Sequence, residues 1–283
     1  WYSVNKRDLP WRQTKNPYFI WLSEIILQQT QVNQGLPYYE AFVIKYPTVN
    51  DLAIASESDV LKLWQGLGYY SRARNLHSTA KHIVQELQGV FPNNYKGLLH
   101  LKGIGDYTAS AIASFCFNEV CAVVDGNVFR FLSRYYGIRT PINSGQGQKE
   151  FKELAQQLIN KKNPAEFNQA IMEFGAIQCK PKNPDCSVCP FQQKCMAFQK
   201  NTIIELPVKL KPGKISIKYF NFLVFISDDH KTIIEKRNGS GIWQNLYQFP
   251  LVESQSVLTY KGVKTHLKTH PVINEIPYKL SLY

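Results

Sequence analysis

The sequence predicts a mainly α-helical domain followed by a smaller α+β domain. Three observations carry that prediction. Apolar residues recur at helical spacing from Trp1 to about Phe198, and four cysteines crowd together between Cys179 and Cys195. Beyond a Pro- and Lys-containing stretch the apolar period drops to two. The boundaries read as residues 1–200 for the helical domain, 201–214 for a linker and 215–283 for the sheet-containing domain. The 33 Lys and Arg against 21 Asp and Glu give a net charge of +12, which suits a polyanionic partner. No apolar run has the length of a membrane span and no secretory segment opens the chain, so a soluble, cytoplasmic protein is expected. The first residue is Trp1 and the strand-like run Tyr278 to Tyr283 simply stops, so a sequence clipped at both ends is expected.

Taken in order, Leu9-Pro10-Trp11-Arg12 offers an aromatic and a cation on an extended segment. Pro17 suits the first position of a helix running through Trp21, Glu24 and Leu27. On that helix Glu24 shares a face with Ile20, Trp21 and Leu27, so its carboxyl sits in apolar company. Desolvation raises a carboxyl pKa, which lets a Glu act as a general acid near neutral pH. Gln28, Gln29, Thr30 and Gln31 then form an amide-rich helix end able to bond base edges. Glu57 to Gln65 reads as a short helix, ended by Gly66-Leu67-Gly68-Tyr69-Tyr70-Ser71-Arg72-Ala73-Arg74. That turn combines a stacking wedge with cations placed for phosphates. His77 and His82 lack partners at ligand spacing and need no role.

Asn94 is placed to cap a helix ending near Leu101, Gly103 and Gly105 permit a tight hairpin, and Asp106 is placed to cap a second helix with Ala109, Ile112, Ala113 and Phe115 on one face. The result is a helix-hairpin-helix. Its free backbone N–H groups, with Lys102 beside them, converge where a phosphate can sit. Val123-Val124-Asp125-Gly126-Asn127 then leads into a helix carrying Val128, Phe131, Leu132 and Tyr135 and ending at Gly137. As its N-cap, Asp125 is expected to keep a low pKa, the opposite of Glu24. Two carboxyls pushed apart in this way suit a reaction in which one donates a proton and the other stabilises a developing cation. Asn163-Pro164 opens a helix through Gln178, which delivers the chain to Cys179-x6-Cys186-x2-Cys189-x5-Cys195. Four thiolates at this spacing suit zinc or a [4Fe-4S] cluster. Cys116 and Cys121 read as ordinary buried thiols. In the second domain the alternation from Ile215 to Ile226, a turn at Asp228-Asp229-His230 and Thr232 to Arg237 read as a hairpin, with Trp243, Leu246, Tyr247 and Phe249 as core.

Together these motifs resemble the helix-hairpin-helix DNA glycosylases with an iron-sulfur loop, and most closely the adenine DNA glycosylases of the MutY type. The resemblance is carried by Leu9 to Arg12, Trp21 to Val32, Gly66 to Leu76, the hairpin, Asp125 to Val128 and the cysteine spacing. It implies a two-lobed helical domain with a [4Fe-4S] loop on Cys179, Cys186, Cys189 and Cys195, then a truncated Nudix-like domain that contacts 8-oxoguanine. It further implies a monomer that removes adenine opposite 8-oxoguanine or guanine in duplex DNA. By resemblance Glu24 protonates adenine at N7, Asp125 stabilises the oxocarbenium-like sugar or bonds to it transiently, Asn127 orients both, and Tyr107 lies beside the sugar. Lyase-competent relatives carry Lys at the position of Tyr107, so a monofunctional enzyme is expected. Gln29 and Tyr69, with Leu67 and Thr30 beside them, match residues that wedge into the base stack. Trp11, Arg12, Leu27 and Val32 match the adenine-pocket lining, and Lys102, Gly103 and Gly105 the phosphate-binding hairpin. The family's Ser-His recognition loop is matched faintly by Thr269-His270.

Overall fold

The computed structural model describes residues 1–211, 213, 217–239 and 241–267. Its backbone contacts divide the chain into Trp1–Leu210 and Lys211–Tyr283. Within the first unit twelve helices follow in order among the described residues: α1 (Tyr2–Asn5), α2 (Pro17–Ile26), α3 (Val32–Lys45), α4 (Val49–Ile54), α5 (Glu57–Leu63), α6 (Ser71–Glu86), α7 (Tyr95–Leu99), α8 (Asp106–Phe117), α9 (Gly126–Tyr136), α10 (Gly145–Leu158), α11 (Pro164–Glu173) and α12 (Met196–Gln199). None is long and apolar enough to cross a membrane.

The unit has two lobes, each with its own core. The first packs Trp21, Ile26, Phe42, Trp64, Leu98 and Ile112, and the second packs Val128, Leu132, Phe151 and Ile171. Met172 touches both. Local signals set most helix ends. The Asn16 side chain accepts from the Tyr18 N–H at 2.9 Å with Pro17 at the first helical position, so α2 starts where sequence places it. Asn94 caps α7 through the Gly97 N–H at 2.9 Å, and Gly137 ends α9 at φ +70°.

The hairpin between α7 and α8 departs from expectation in two details. Gly103 adopts φ +79°, and a Cβ there would stand 2.8 Å from that of Asn75, so glycine is required. Gly105 is extended at φ −92° and itself occupies the N-cap. Asp106 is therefore the first residue of α8 rather than its cap; its carboxylate is taken by the Tyr95 hydroxyl and Lys152. Helix α8 is buried from Thr108 to Phe115, more than the one face its pattern suggests.

Of the stretch 201–214 that reads as a linker, residues through Leu210 are bonded to the first unit: Ile142 donates to the Val208 carbonyl, and Asn143 pairs with the Leu210 backbone in both directions. In the second unit β1 (Tyr219–Phe222) pairs antiparallel with β4 (Leu251–Ser254), and β2 (Glu235–Lys236) with β3 (Tyr247–Gln248). Helix α13 (Tyr260–Leu267) follows. The predicted hairpin pairing is thus wrong. The turn at Asp228 to His230 forms, closed by Ser227 and Lys231, but its flanks join other strands. A period of two identifies a strand without naming its neighbour. The predicted core is also displaced: Trp243, Tyr247 and Phe249 are exposed and Leu246 is half-buried, while Pro250, Val252 and Leu267 are buried. Ile215 and Thr269-His270 lie outside the described residues.

Candidate active site

Between the two lobes of the first unit lies a cavity of about 550 Å³. Its floor is acidic. Glu24, in the last turns of α2, and Asp125, at the start of α9, both line it, joined by Tyr107 from α8 and by Asn127. Trp11, Arg12, Leu27, Gln29, Thr30 and Val32 complete the side expected from sequence. The Leu9 to Arg12 segment, expected extended, instead makes a 3₁₀ turn at Pro10–Arg12 that carries Trp11 and Arg12 to the cavity.

Burial among Ile20, Trp21 and Leu27 raises the Glu24 carboxyl to about 7. The Tyr107 hydroxyl opposes that rise, Asp125 adds to it, and Arg12 works against it. Asp125 overturns the expectation of a depressed pKa: burial pushes its carboxyl up despite the helix end. It accepts from the Asn127 N–H at 2.9 Å, the Val128 N–H at 2.8 Å and the Asn127 side-chain amide at 2.6 Å. Three N–H donors at a helix N-terminus favour its charged form, whereas Glu24 lies in the last turns of α2 with one hydroxyl. With its carboxyl raised to about 7, Glu24 is the acid of the pair that keeps a proton near neutral pH.

Two loops joined by Arg72, the first of them at the cavity's rim, hold strained backbones. Gln29 has φ +54° and Tyr69 φ +47°, left-handed values that non-glycine residues rarely take, and both side chains are exposed, Tyr69 to 65%. Arg72 explains how the strain is held. Its guanidinium donates to the carbonyls of Ile25, Ile26 and Gln28 from one side and of Leu67 and Gly68 from the other. Arg72 is thus a buried brace rather than the phosphate contact read from sequence, and Arg74 lies 3.7 Å from Glu57. Lys102, Gly103 and Gly105 are exposed on the hairpin and lie outside the cavity, as do Leu67 and Tyr69.

Several groups went unread in the sequence. Glu173, at the end of α11, lines the cavity with a fully buried side chain that binds Arg7 and Arg12, each at 2.7 Å. Immediately after it the helix widens into a π turn, Phe174–Gln178. Arg130 ties that turn to the site: Nη2 donates to the Gly175 carbonyl and to Asn127 Oδ1, and Nε donates to the Cys179 carbonyl. Partners so distant in the chain leave no local pattern; a lone acid among Ile171, Met172 and Phe174 was the available signal.

Cys179, Cys186, Cys189 and Cys195 line a single second cavity with Phe131, Phe174 and Phe191. Arg134 is buried beside it, its guanidinium 3.4 Å from Cys179 Sγ and bonded to the Lys180 and Pro181 carbonyls. Among the described residues no three His, Cys, Asp or Glu side chains gather tightly enough to hold one metal ion. Cys116 and Cys121 are half-buried outside this cavity.

The class of protein follows from this fold and its comparisons. Residues 22–161 match the family model of the HhH-GPD superfamily base excision DNA repair proteins. A thermostable thymine-DNA glycosylase superposes with TM-score 0.65 at 32% identity, covering 70% of this chain and 92% of that one. An endonuclease III–DNA complex superposes with TM-score 0.61 at 20% identity over 71% of this chain and 92% of that one, a likeness of fold. Adenine DNA glycosylase from Buchnera aphidicola subsp. Baizongia pistaciae is 37% identical, covering 99% of this chain and 80% of the relative. The human adenine DNA glycosylase is 44% identical over 76% of this chain and 41% of the relative. The chain belongs to the adenine DNA glycosylase family.

Proposed function

We propose that this chain is a monofunctional DNA glycosylase that releases adenine mispaired with 8-oxoguanine or guanine in duplex DNA and leaves an abasic site. The observation that carries the reading is the convergence of Glu24 and Asp125, from different lobes, on one cavity large enough for a purine. An adenine must leave the stack to enter it. Gln29 and Tyr69, exposed on strained turns, fill the gap it leaves. Glu24 passes its proton to N7, the bond from the sugar to the base breaks with its electron pair going to adenine, and Asp125 stabilises the cationic sugar. Water then adds to the anomeric carbon and gives up its proton to a carboxylate. Tyr107 offers no amine, so no Schiff base with the sugar forms.

The net charge of +12 and the exposed Lys102 hairpin support a phosphate-binding surface. A [4Fe-4S] cluster fits the four-cysteine cavity better than zinc does. Zinc at about 2.3 Å from each sulfur needs thiols crowded around one ion, whereas these four line one cavity with no three of them gathered for a single ion. When bound, such a cluster supplies the iron-sulfur bonds that tie residues 179–195 together. The second unit acts as the Nudix-like reader of the opposite base, supported by a relative matched over 99% of this chain.

The likeness to a thymine-DNA glycosylase favours a second reading, thymine removal from T·G. Single-turnover assays on A·8-oxoguanine, A·G and T·G duplexes separate the two. Adenine release with strand breakage only after alkali is expected; thymine release without adenine release overturns the proposal.

A further inference from the structure

We infer that Glu173 is a positioning residue for base excision: it holds the guanidinium groups of Arg7 and Arg12 at the cavity wall and sets the net charge that the Glu24 carboxyl faces. The inference rests on Glu24 as the proton donor. Glu173 is committed on both oxygens. Oε1 accepts from the backbone N–H and Nε of Arg7 at 2.8 and 2.9 Å; Oε2 accepts from Nη2 of Arg7 and of Arg12, both at 2.7 Å. The paired cations hold its carboxyl down at about 2 against the cost of burial, so it carries a full negative charge at any working pH. A carboxylate saturated by four donors has no acceptor left for a substrate. Its contribution is therefore indirect. It fixes an N-terminal segment, which brings Trp11 and Arg12, onto α11 of the second lobe.

The electrostatic consequence follows from the inventory around Glu24. Arg12 comes from the 3₁₀ turn, Tyr107 and Cys116 from α8, Asp125 from the start of α9, and Arg7 and Glu173 share the same cavity. Two cations and Glu173 together contribute one net positive charge. Removing the Glu173 charge leaves two, and Glu24 loses its proton more easily. Removing Arg7 instead leaves none, and Glu24 holds its proton more firmly. A role limited to packing moves neither in a charge-dependent sense.

The test compares the full chain with Glu173→Gln and Arg7→Gln. The Glu24 carboxyl is followed by ¹³C NMR in DNA-free protein labelled at Glu, with Glu24→Gln identifying the signal. In parallel, single-turnover adenine release is measured against pH. Glu173→Gln is expected to lower the Glu24 titration, and the alkaline limb of the rate, by about half a pH unit or more, a roughly threefold change in proton affinity. Arg7→Gln should shift both upward. Titrations that stay at the wild-type position, or move the same way in both variants, overturn the inference. Should Glu173→Gln not fold, Arg7→Gln alone decides by the sign of its shift, because Arg7 is partly exposed at 38% and its loss is tolerable. Wild-type protein that releases no adenine would sink the proposed function, while the NMR titrations would still judge Glu173.

Discussion

Gly175 is where the π turn presses on the start of α9, and replacing it by Ala tests how the site is held. A Cβ at this position would stand 2.5 Å from the Asn127 carbonyl oxygen and 2.7 Å from its carbonyl carbon and Cβ. Those are largely backbone atoms and have no rotamer to retreat into. Asn127 must withdraw by roughly 1 Å to restore van der Waals separation. The displacement passes directly to the chemistry, because Asn127 Nδ2 donates to Asp125 Oδ2 at 2.6 Å and Arg130 bridges Asn127 and Gly175. Overpacking of this kind costs about 1–3 kcal/mol of stability, and a shift of about 1 Å in a reacting group costs on the order of 100-fold in rate. Thermal unfolding should show the first effect and single-turnover adenine release the second, with lesion-duplex affinity changed by less than about threefold. Gly145→Ala is the matched control, since a Cβ at this first residue of α10 meets open space. A folded Gly175→Ala protein cutting within about threefold of wild type would refute the account.

Asp125→Asn keeps an oxygen for the Asn127 and Val128 N–H groups but loses the charge proposed to stabilise a cationic sugar. It should bind lesion duplex nearly as wild type and cleave at less than about a tenth of its rate; a faster mutant ends that assignment. Glu24 makes a stability prediction of opposite sign to its use. The folded chain keeps a proton near pH 7 that an unfolded Glu with pKa 4.5 has released, so stability falls as pH rises from 4.5 to about 7. Glu24→Gln should thus add about 3 kcal/mol above pH 7 and almost nothing below pH 4, and urea unfolding that gave one increment at all pH values would contradict the buried-acid reading. With Tyr107 in its proposed place beside the sugar, Tyr107→Lys supplies an amine there, so borohydride should trap a protein–DNA adduct. No trapped species at all would show the side chain to be misplaced.

What the sequence disclosed was local. Asn16, Asn94, Asp125 and Gly137 announce helix ends because capping involves residues within four positions. Glu24 could be read as a buried acid because its helical neighbours are its own burial. Burial arriving from elsewhere was invisible, hence the wrong direction for Asp125: its cap was legible, the surrounding lobe was not. Arg72 shows the same gap. Beside two tyrosines in a glycine-rich turn it reads as a phosphate contact, yet its five carbonyl partners belong to the end of α2 with the turn after it and to the Leu67-Gly68 turn, which only the fold brings together. Strand pairing in the second unit failed likewise, since β1 finds its partner at Leu251–Ser254, beyond two intervening strands.

These long-range ties also explain why two acids from separate lobes keep one geometry. Each lobe has its own core, so nothing in either core fixes the distance from Glu24 to Asp125. Beside Met172, which touches both cores, the seam carries saturated polar contacts. Buried Asn168 on α11 donates to Ser114 Oγ and the Cys121 carbonyl and accepts from the Val123 N–H. Glu173, on the same helix, holds Arg7 and Arg12, and Gly175 bears on Asn127. Buried polar groups are costly unless paired in one arrangement. A sliding of the lobes would break several such pairs at once. Helix α11 and its π turn therefore act as the rigid spacer of the cleft, and substitutions along Asn168, Glu173 and Gly175 should impair excision before they impair folding of either lobe.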